Sequence, residues 1–232
     1  MQNKLDAYQR PQYAVDVVLC IDGTLTMNDI GRDGQSALDR VKGVAHRIGT
    51  DICEIMNRRG KTVEKLRAKV IVFRDYLADG EHAMMLTDFF KLPDQKAEFD
   101  RCIDSIKADG GGDEPEDGLE ALAYAIRSEW DTEYLRHRKV IIVWSDAGTH
   151  DLGFGKKAHH YPRGMASNMA ELYDWWEDMD YSKRLILFTP NDNSWRFISD
   201  NWEFTLHYPS AAGEGLHDSD YQNILSCIAN NI

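Results

Sequence analysis

The stretch Tyr13–Thr26, YAVDVVLCIDGTLT, decides the fold class. Apart from Asp16, its first nine residues are apolar or small and rich in Val, Leu and Ile, which is typical of a strand buried on both faces of a parallel sheet. The run ends at Asp22, and two threonines follow at alternate positions. In open α/β sheets, ligands bind outside the carboxyl ends of the strands. The stretch therefore predicts a buried strand that carries a binding site at its end.

Further along the chain, short apolar runs alternate with helical patterns. Apolar residues at spacings of three and four predict a long amphipathic helix, which contains Leu38, Val41, Ala45, Ile48, Ile52 and Ile55. Further strands are predicted at Lys69–Phe73, near Glu81–Thr87, and at Val140–Trp144, Leu185–Phe188 and Phe204–His207. Further helices are predicted around Phe99–Ile106 and Leu119–Ile126 and over 166–179, 194–201 and 219–230.

This alternation predicts an α/β fold with a doubly wound, mostly parallel central sheet and helices on both faces. We find no internal repeat, low-complexity tract or linker, and therefore expect one domain over residues 1–232. A chain of this length is long enough to bury a full hydrophobic core.

The charge and the apolar pattern bear on the class of partner. The net charge of −12 disfavours binding to nucleic acid or to an anionic membrane surface. No apolar run approaches the roughly 20 residues that span a bilayer. The first residues show no apolar segment typical of a signal peptide. We therefore expect a cytoplasmic protein.

The cysteines give little sign of a metal or redox function. Cys20, Cys53, Cys102 and Cys227 are widely spaced, lie in apolar segments and form no CxxC pair. We interpret them as buried free thiols. Without a Cys/His set, a structural zinc site is disfavoured.

Three acidic residues are predicted to meet at one edge of the sheet. Asp22 and Asp146 each end a strand, and Asp113 lies in a glycine-rich loop before a helix. The hydroxyls of Thr24 and Thr26 can point the same way as the Asp22 carboxylate. Carboxylates and hydroxyls are hard oxygen ligands, which suit magnesium, manganese or calcium.

Three motifs of the chain resemble a known family. Asp22-Gly23-Thr24-Leu25-Thr26 is similar to the D-x-[ST]-x-[ST] signature of the metal-ion-dependent adhesion site in von Willebrand factor A domains. Gly110–Glu116, GGGDEPE, resembles the second motif of many bacterial and alpha-kinase-linked members, and Ser145-Asp146-Ala147 resembles the third. The resemblance covers nearly the whole chain. It implies an ion bound directly by Thr24 and Thr26, with Asp22 and Asp146 bound directly or through water.

The same resemblance implies one coordination position open to water or to a partner's carboxylate. The family often has a threonine in its second motif where this chain has Asp113. Three carboxylates around a divalent ion leave a local charge of about −1, so such a site should hold metal well but attract an acidic partner less strongly. In related integrin beta chains an acidic pair binds a second ion, but here Ile30 follows Asp29, so a second ion stays open.

Two further segments carry two interpretations each. Arg74 and Asp75, after a predicted strand, either brace the metal site or form a surface ion pair. The loop from Ala147 to Gly164 contains Lys156, Lys157 and Arg163 as well as three histidines. It is either a basic rim for an acidic partner or phosphate, or a solvated loop.

Asp22-Gly23-Thr24 also resembles the D-x-D-G-T motif of haloacid-dehalogenase-type phosphatases. Cys20 occupies the place of the nucleophilic aspartate, which disfavours that chemistry. Our leading hypothesis is a divalent-metal-binding module that binds a protein partner and acts as a subunit or adaptor of an intracellular assembly. A metal-dependent hydrolase of phosphate esters and a metal-independent scaffold are the alternatives.

Overall fold

The computed structural model describes residues 11–31, 34–112 and 115–209. Asp113, Cys227 and the helix predicted over 219–230 lie outside these ranges. The described residues form one seven-stranded sheet. Its strands are β1 (Gln12–Asp22), β2 (Thr62–Phe73), β3 (Met84–Leu86), β4 (Phe90–Leu92), β5 (His137–Trp144), β6 (Lys183–Phe188) and β7 (Thr205–His207). The helices are α1 (Ala37–Arg58), α2 (Tyr76–Asp79), α3 (Lys96–Ser105), α4 (Gly118–Ile126), α5 (Met169–Glu177) and α6 (Asn193–Asn201).

The sheet order is β3-β2-β1-β5-β6-β7, and β4 also pairs with β2. The pairs β1–β2, β1–β5, β5–β6 and β6–β7 are parallel, whereas β3 and β4 run antiparallel to β2. The predicted mostly parallel sheet is therefore confirmed.

The register brings the carboxyl ends of the central strands to one level. Asp22 at the end of β1 is paired with Phe73 at the end of β2. The preceding residue, Ile21, is paired with Trp144 at the end of β5. Residues that directly follow these three strands therefore share one edge of the sheet, where the sequence predicted a site.

Helices cover both faces of the sheet, as predicted. One core cluster lies between the sheet and helices α1 and α3, and the other lies between the sheet and helices α4, α5 and α6. Side chains of β1 alternate between the two clusters, with Val17 and Leu19 in the first and Val18 and Cys20 in the second. A strand buried on both faces explains the nearly continuous apolar run at the start of the chain.

Helix α1 begins with a capping box. The Ser36 side chain accepts a hydrogen bond from the Asp39 backbone N–H, and the Asp39 carboxylate accepts one from the Ser36 N–H. This reciprocal pair satisfies two helix-end donors. The apolar face of α1 packs on the sheet and leaves Cys53 exposed, so the prediction that this thiol is buried was wrong. Among the described residues, no helix is both long and apolar enough to cross a bilayer.

Candidate metal centre

The centre begins at Asp22, whose side chain is buried at the end of β1. One carboxylate oxygen, Oδ1, accepts hydrogen bonds from the Thr24 backbone N–H at 2.9 Å and the Thr24 hydroxyl at 2.6 Å. The other, Oδ2, accepts from the Ser145 hydroxyl at 2.6 Å. Burial raises the pKa of Asp22, while the hydrogen bonds from Ser145 and Thr24 partly offset that rise.

A row of oxygen atoms connects the first motif to the third. The Thr24 and Thr26 hydroxyl oxygens are 3.1 Å apart. The Thr26 hydroxyl donates to Asp146 Oδ1 at 3.0 Å. When each threonine proton points to its own carboxylate, each hydroxyl oxygen keeps lone pairs for another partner. The structure therefore brings together four of the five predicted ligands, and the fifth, Asp113, is outside the described residues.

The spacing of these oxygens fits a small divalent cation. Magnesium binds six oxygens at about 2.0–2.1 Å in an octahedron, so neighbouring ligand oxygens lie roughly 2.9 Å apart. Two of the observed separations, 3.0 and 3.1 Å, are close to that edge length, and the third, between Asp22 Oδ1 and the Thr24 hydroxyl, is shorter at 2.6 Å. No group of three or more His, Cys, Asp or Glu side chains placed to hold an ion occurs within the described ranges. Threonine hydroxyls supply half of the four oxygens here, so the site does not depend on three such side chains.

Glu116 is a carboxylate of this region that the sequence reasoning did not single out. It is buried, and its Oε2 has no hydrogen-bond partner. A Cβ atom placed on Gly111 would lie 3.0 Å from both Glu116 Oε1 and Thr24 Cβ, so the glutamate lies close to the first motif. Burial and, to a lesser extent, the nearby carboxylate of Asp22 together raise the pKa of Glu116 to about 9. An uncompensated carboxylate in this position favours a neighbouring cation.

The backbone of Glu116 is fixed by the loop after β5. Its N–H donates to the Gly148 carbonyl at 3.1 Å, and its carbonyl accepts from the His150 N–H at 2.9 Å. The next N–H, that of Asp117, donates to the Arg74 carbonyl at 3.1 Å. The second motif is thus attached to the ends of both β2 and β5.

The glycines of the second motif allow a close approach that side chains would block. Gly110 and Gly111 have φ of +75° and +79°, which non-glycine residues rarely adopt. A Cβ on Gly112 would lie 2.6 Å from Ala78 Cβ. The Gly111 N–H donates to Asp79 Oδ2 at 3.0 Å. The glycine-rich loop therefore lies directly against helix α2.

Arg74 joins three loops at the edge of the centre. Its Nε donates to the carbonyls of Gly23 at 2.9 Å and Asp109 at 2.6 Å. Its Nη1 donates to His82 O at 2.9 Å and its Nη2 to Lys107 O at 3.0 Å. Of the two interpretations of Arg74, these four contacts favour a brace for the metal loops over an exposed ion pair.

Asp75 is buried and interacts with the loop after β5. Its Oδ2 lies 3.1 Å from His150 Nε2, and its Oδ1 accepts hydrogen bonds from the N–H groups of Leu77 and Ala78. The His150 ring stacks on Phe154 with centroids 3.9 Å apart. Asp75 therefore fixes both the start of α2 and the loop after β5.

The structure also describes the surroundings of Asp29, named above for a second ion, and of Cys20, in the place of a phosphatase nucleophile. Asp29 is exposed, and its backbone N–H donates to the Thr26 carbonyl. Cys20 is buried and its thiol donates weakly to the Ala121 carbonyl. Burial raises the pKa of Cys20, which keeps the thiol protonated and unreactive.

Comparison with solved structures identifies the fold. The chain is similar to a von Willebrand factor type A protein from Catenulispora acidiphila, with 13% identity and a TM-score of 0.52, over 94% of this chain and 43% of the other. The fold is von Willebrand A-like. No protein-family model matches the chain, and no curated protein matches it.

The same A-like fold occurs in two pilus proteins. One is the PilB minor pilin from Streptococcus sanguinis, with 12% identity, a TM-score of 0.60, and 93% of this chain and 61% of the other covered. The second is the pilus adhesin SpaC from Lactobacillus rhamnosus GG, with 11% identity and a TM-score of 0.59, over 96% of this chain and 32% of the other. The chain thus spans between a third and three fifths of these structures.

Proposed function

We propose that this chain is a divalent-metal-binding module that binds a protein partner as a subunit or adaptor of an intracellular assembly. The observation that carries the proposal is the row of oxygens from Asp22 through Thr24 and Thr26 to Asp146. Two carboxylates and two hydroxyls, close to octahedral spacing, form a ligand set for magnesium, with manganese or calcium as substitutes.

The proposed ligands fall into an inner and an outer pair. Asp22 and Thr24 are buried, whereas Thr26 and Asp146 are partly exposed. An ion held by all four would be reached from the side of Thr26 and Asp146, where a partner carboxylate or water would bind. We propose Asp113 as a further ligand, and Glu116 as a carboxylate whose charge the ion compensates.

The comparisons support a binding role. A minor pilin and a pilus adhesin share the fold, and proteins of this architecture place their recognition loops at the carboxyl ends of the strands. We therefore propose that the partner contacts the metal face, with nucleic acid and membrane surfaces disfavoured by the net charge of −12.

Thermal unfolding of wild type and variants, in chelator and in excess magnesium, manganese or calcium, tests the metal site. An ion at a hundredfold excess over its dissociation constant raises the free energy of unfolding by about 2.7 kcal/mol. We expect this rise in wild type and its loss in Asp22→Ala and in Thr26→Val, which keeps the side-chain shape but removes the hydroxyl. Asp29→Ala, at an exposed position on the same loop, is the matched control and should keep the rise.

Failure of every ion to stabilise wild type would refute the metal site and favour a metal-independent scaffold. A rise that Asp22→Ala and Thr26→Val both retain would place the ion elsewhere on the chain. Thr26 is only partly buried, so Thr26→Val keeps the test decisive if Asp22→Ala does not fold.

A further inference from the structure

Large apolar side chains are exposed on the loops that surround the metal face. Leu25 between the two threonines is 61% exposed, Leu77 on α2 is 51% exposed, and Phe154 after β5 is 50% exposed. Folded chains seldom expose neighbouring large apolar side chains without a binding role. These three residues lie on three separate segments of the chain, so the fold brings them to the same face and no single apolar segment accounts for them.

Contacts between the loops make these positions continuous. The Leu25 N–H donates to the Gly110 carbonyl at 3.2 Å, which joins the first motif to the glycine-rich loop. Gly112 of that loop lies against Ala78, next to Leu77. The surface therefore continues from the first motif onto helix α2.

The loop after β5 extends this surface beyond α2. A Cβ on Gly155 would lie 2.8 Å from Tyr76 Cβ, and the Tyr76 and Tyr161 rings meet edge to face at 5.1 Å. The His160 ring lies 3.9 Å from the Cβ position of Gly80. Residues 155–161 thus lie alongside α2 and its following turn. The resulting apolar-basic strip consists of Leu25, Leu77, Phe154, Lys156, Lys157 and His160.

The charge of the strip is opposite to that of the chain. Residues 152–170 contain Lys156, Lys157 and Arg163 and no Asp or Glu, whereas the whole chain has a net charge of −12. Lys156, Lys157 and His160 are exposed. A local cationic patch attracts acidic groups, whereas the anionic surface around it repels them. This difference orients an acidic partner as it approaches.

We propose that the apolar-basic strip binds a protein segment in which acidic side chains lie next to large apolar ones. The inference rests on the proposed metal-binding function and names the partner of that site. The three carboxylates proposed as ligands, those of Asp22, Asp146 and Asp113, would leave a local charge near −1 around a divalent ion. The attraction for an acidic partner then has to come from the neighbouring lysines. Leu77 and Phe154 then need apolar surface, which a polyanion such as nucleic acid does not supply along its backbone.

Selection from a random peptide library displayed on phage, against the immobilised full chain in magnesium, tests the proposal. We expect enriched peptides to combine Asp or Glu with Leu, Phe or Trp. A synthetic peptide of the enriched sequence is then titrated against wild type and against the strip variant Leu77→Ser, Phe154→Ser, Lys157→Glu. The strip variant should bind about tenfold more weakly or worse, because few residues carry most of the binding energy of an interface.

The matched control makes equivalent changes at the amino ends of the strands. Leu135→Ser, Tyr181→Ser and Arg59→Glu replace two exposed apolar residues and one exposed cation there. This variant should bind the peptide as wild type does. Equal binding by the strip variant, no enrichment, or enriched peptides without acidic and apolar residues would overturn the proposal. So would an oligonucleotide that binds the strip as tightly as the peptide.

Magnesium-dependent stabilisation of each variant distinguishes failure of the strip from failure of the proposed metal site. The strip variant should keep the magnesium-dependent stabilisation, because none of its three positions supplies a ligand. Peptide binding that depends on the strip in a chain that magnesium does not stabilise would support the strip and refute the metal site. If Thr26→Val abolished peptide binding and the strip variant retained it, the result would support the metal site and refute the strip.

Discussion

At the residue scale, the centre depends on side chains that are far apart in sequence. Asp22, Thr24 and Thr26 were predictable because a buried strand ends there, and Asp146 follows the end of another buried strand by two residues. Glu116 was not predicted as a site residue, although it belongs to the GGGDEPE motif. Its role depends on the close approach of Gly111 to Thr24, which local sequence does not specify. The signal that could have drawn attention to it was a third carboxylate in the same motif, three residues after Asp113.

Arg74 gives the first residue-scale prediction. Arg74→Lys keeps the charge but loses the fork of donors that reaches four carbonyls in three loops. We expect metal affinity, measured by calorimetry, to fall about tenfold or more, as for other residues that orient metal ligands. The unfolding free energy in chelator should fall by about 1 kcal/mol, because hydrogen bonds between the loops are lost, while the carbonyls of the exposed residues can bind water instead.

Arg67→Lys is the matched control. Arg67 lies in the middle of β2, the strand that ends just before Arg74, and binds Asp16 with two hydrogen bonds at 2.8 and 2.6 Å, away from the carboxyl ends of the strands. Arg67→Lys should lower the free energy of unfolding and leave metal affinity unchanged. An equal loss of metal affinity in both variants would show that Arg74 acts through general stability and not through the loops.

At the element scale, apolar strands were predictable and polar ones were not. The structure extends β2 back to Thr62, although only Lys69–Phe73 was predicted. Residues 62–68 include charged and partly exposed positions, since this half of β2 lies beyond the most buried part of the sheet. The three-residue strand β4 was not predicted, because it follows a loop and is set by pairing with β2. Tertiary contact decided both elements.

The amino ends of β5 and β6 yield a pH prediction. Burial tends to raise the pKa of Asp180, but hydrogen bonds from Lys139, Ser182 and His137 outweigh it and hold that pKa below its ordinary value. A lowered pKa stabilises the fold above the unfolded value of about 3.9 and loses that effect as pH falls through the folded value. Asp180→Asn should therefore destabilise the chain at pH 7, and its difference from wild type should shrink below about pH 4.

Urea unfolding across this pH range measures the effect. Asp200→Asn serves as the control, because Asp200 forms an exposed helix pair with Arg196 at 3.4 Å. Pairs of that kind contribute little stability, so its difference from wild type should stay small at every pH. A difference for Asp180→Asn that is constant with pH would contradict the assigned cause.

At the scale of the whole molecule, the two ends of the sheet should behave as independent regions. The proposed metal centre lies at the carboxyl ends of the strands, and Asp180 lies at the amino ends. The fold class follows from the alternating apolar runs, whereas the order of the strands and the contacts between loops required the structure.

Double-mutant cycles test this independence. Thr26→Val and Asp180→Asn share no partner, so their effects on unfolding free energy should add within about 0.5 kcal/mol. Thr24→Val and Thr26→Val remove two hydroxyls that lie 3.1 Å apart, and these should depart from additivity by about 0.5 kcal/mol or more. Strong coupling in the first cycle would show that the ends communicate through the sheet.

The level ends of β1, β2 and β5 also explain how far sequences can diverge on this fold. The interior of the sheet requires apolar side chains of suitable volume, and such residues replace one another with modest cost. The loops at the edge can change in length and chemistry without altering the register below them. Chains with 11 to 13% identity can therefore share this fold, while the loops at the edge of the sheet are free to differ.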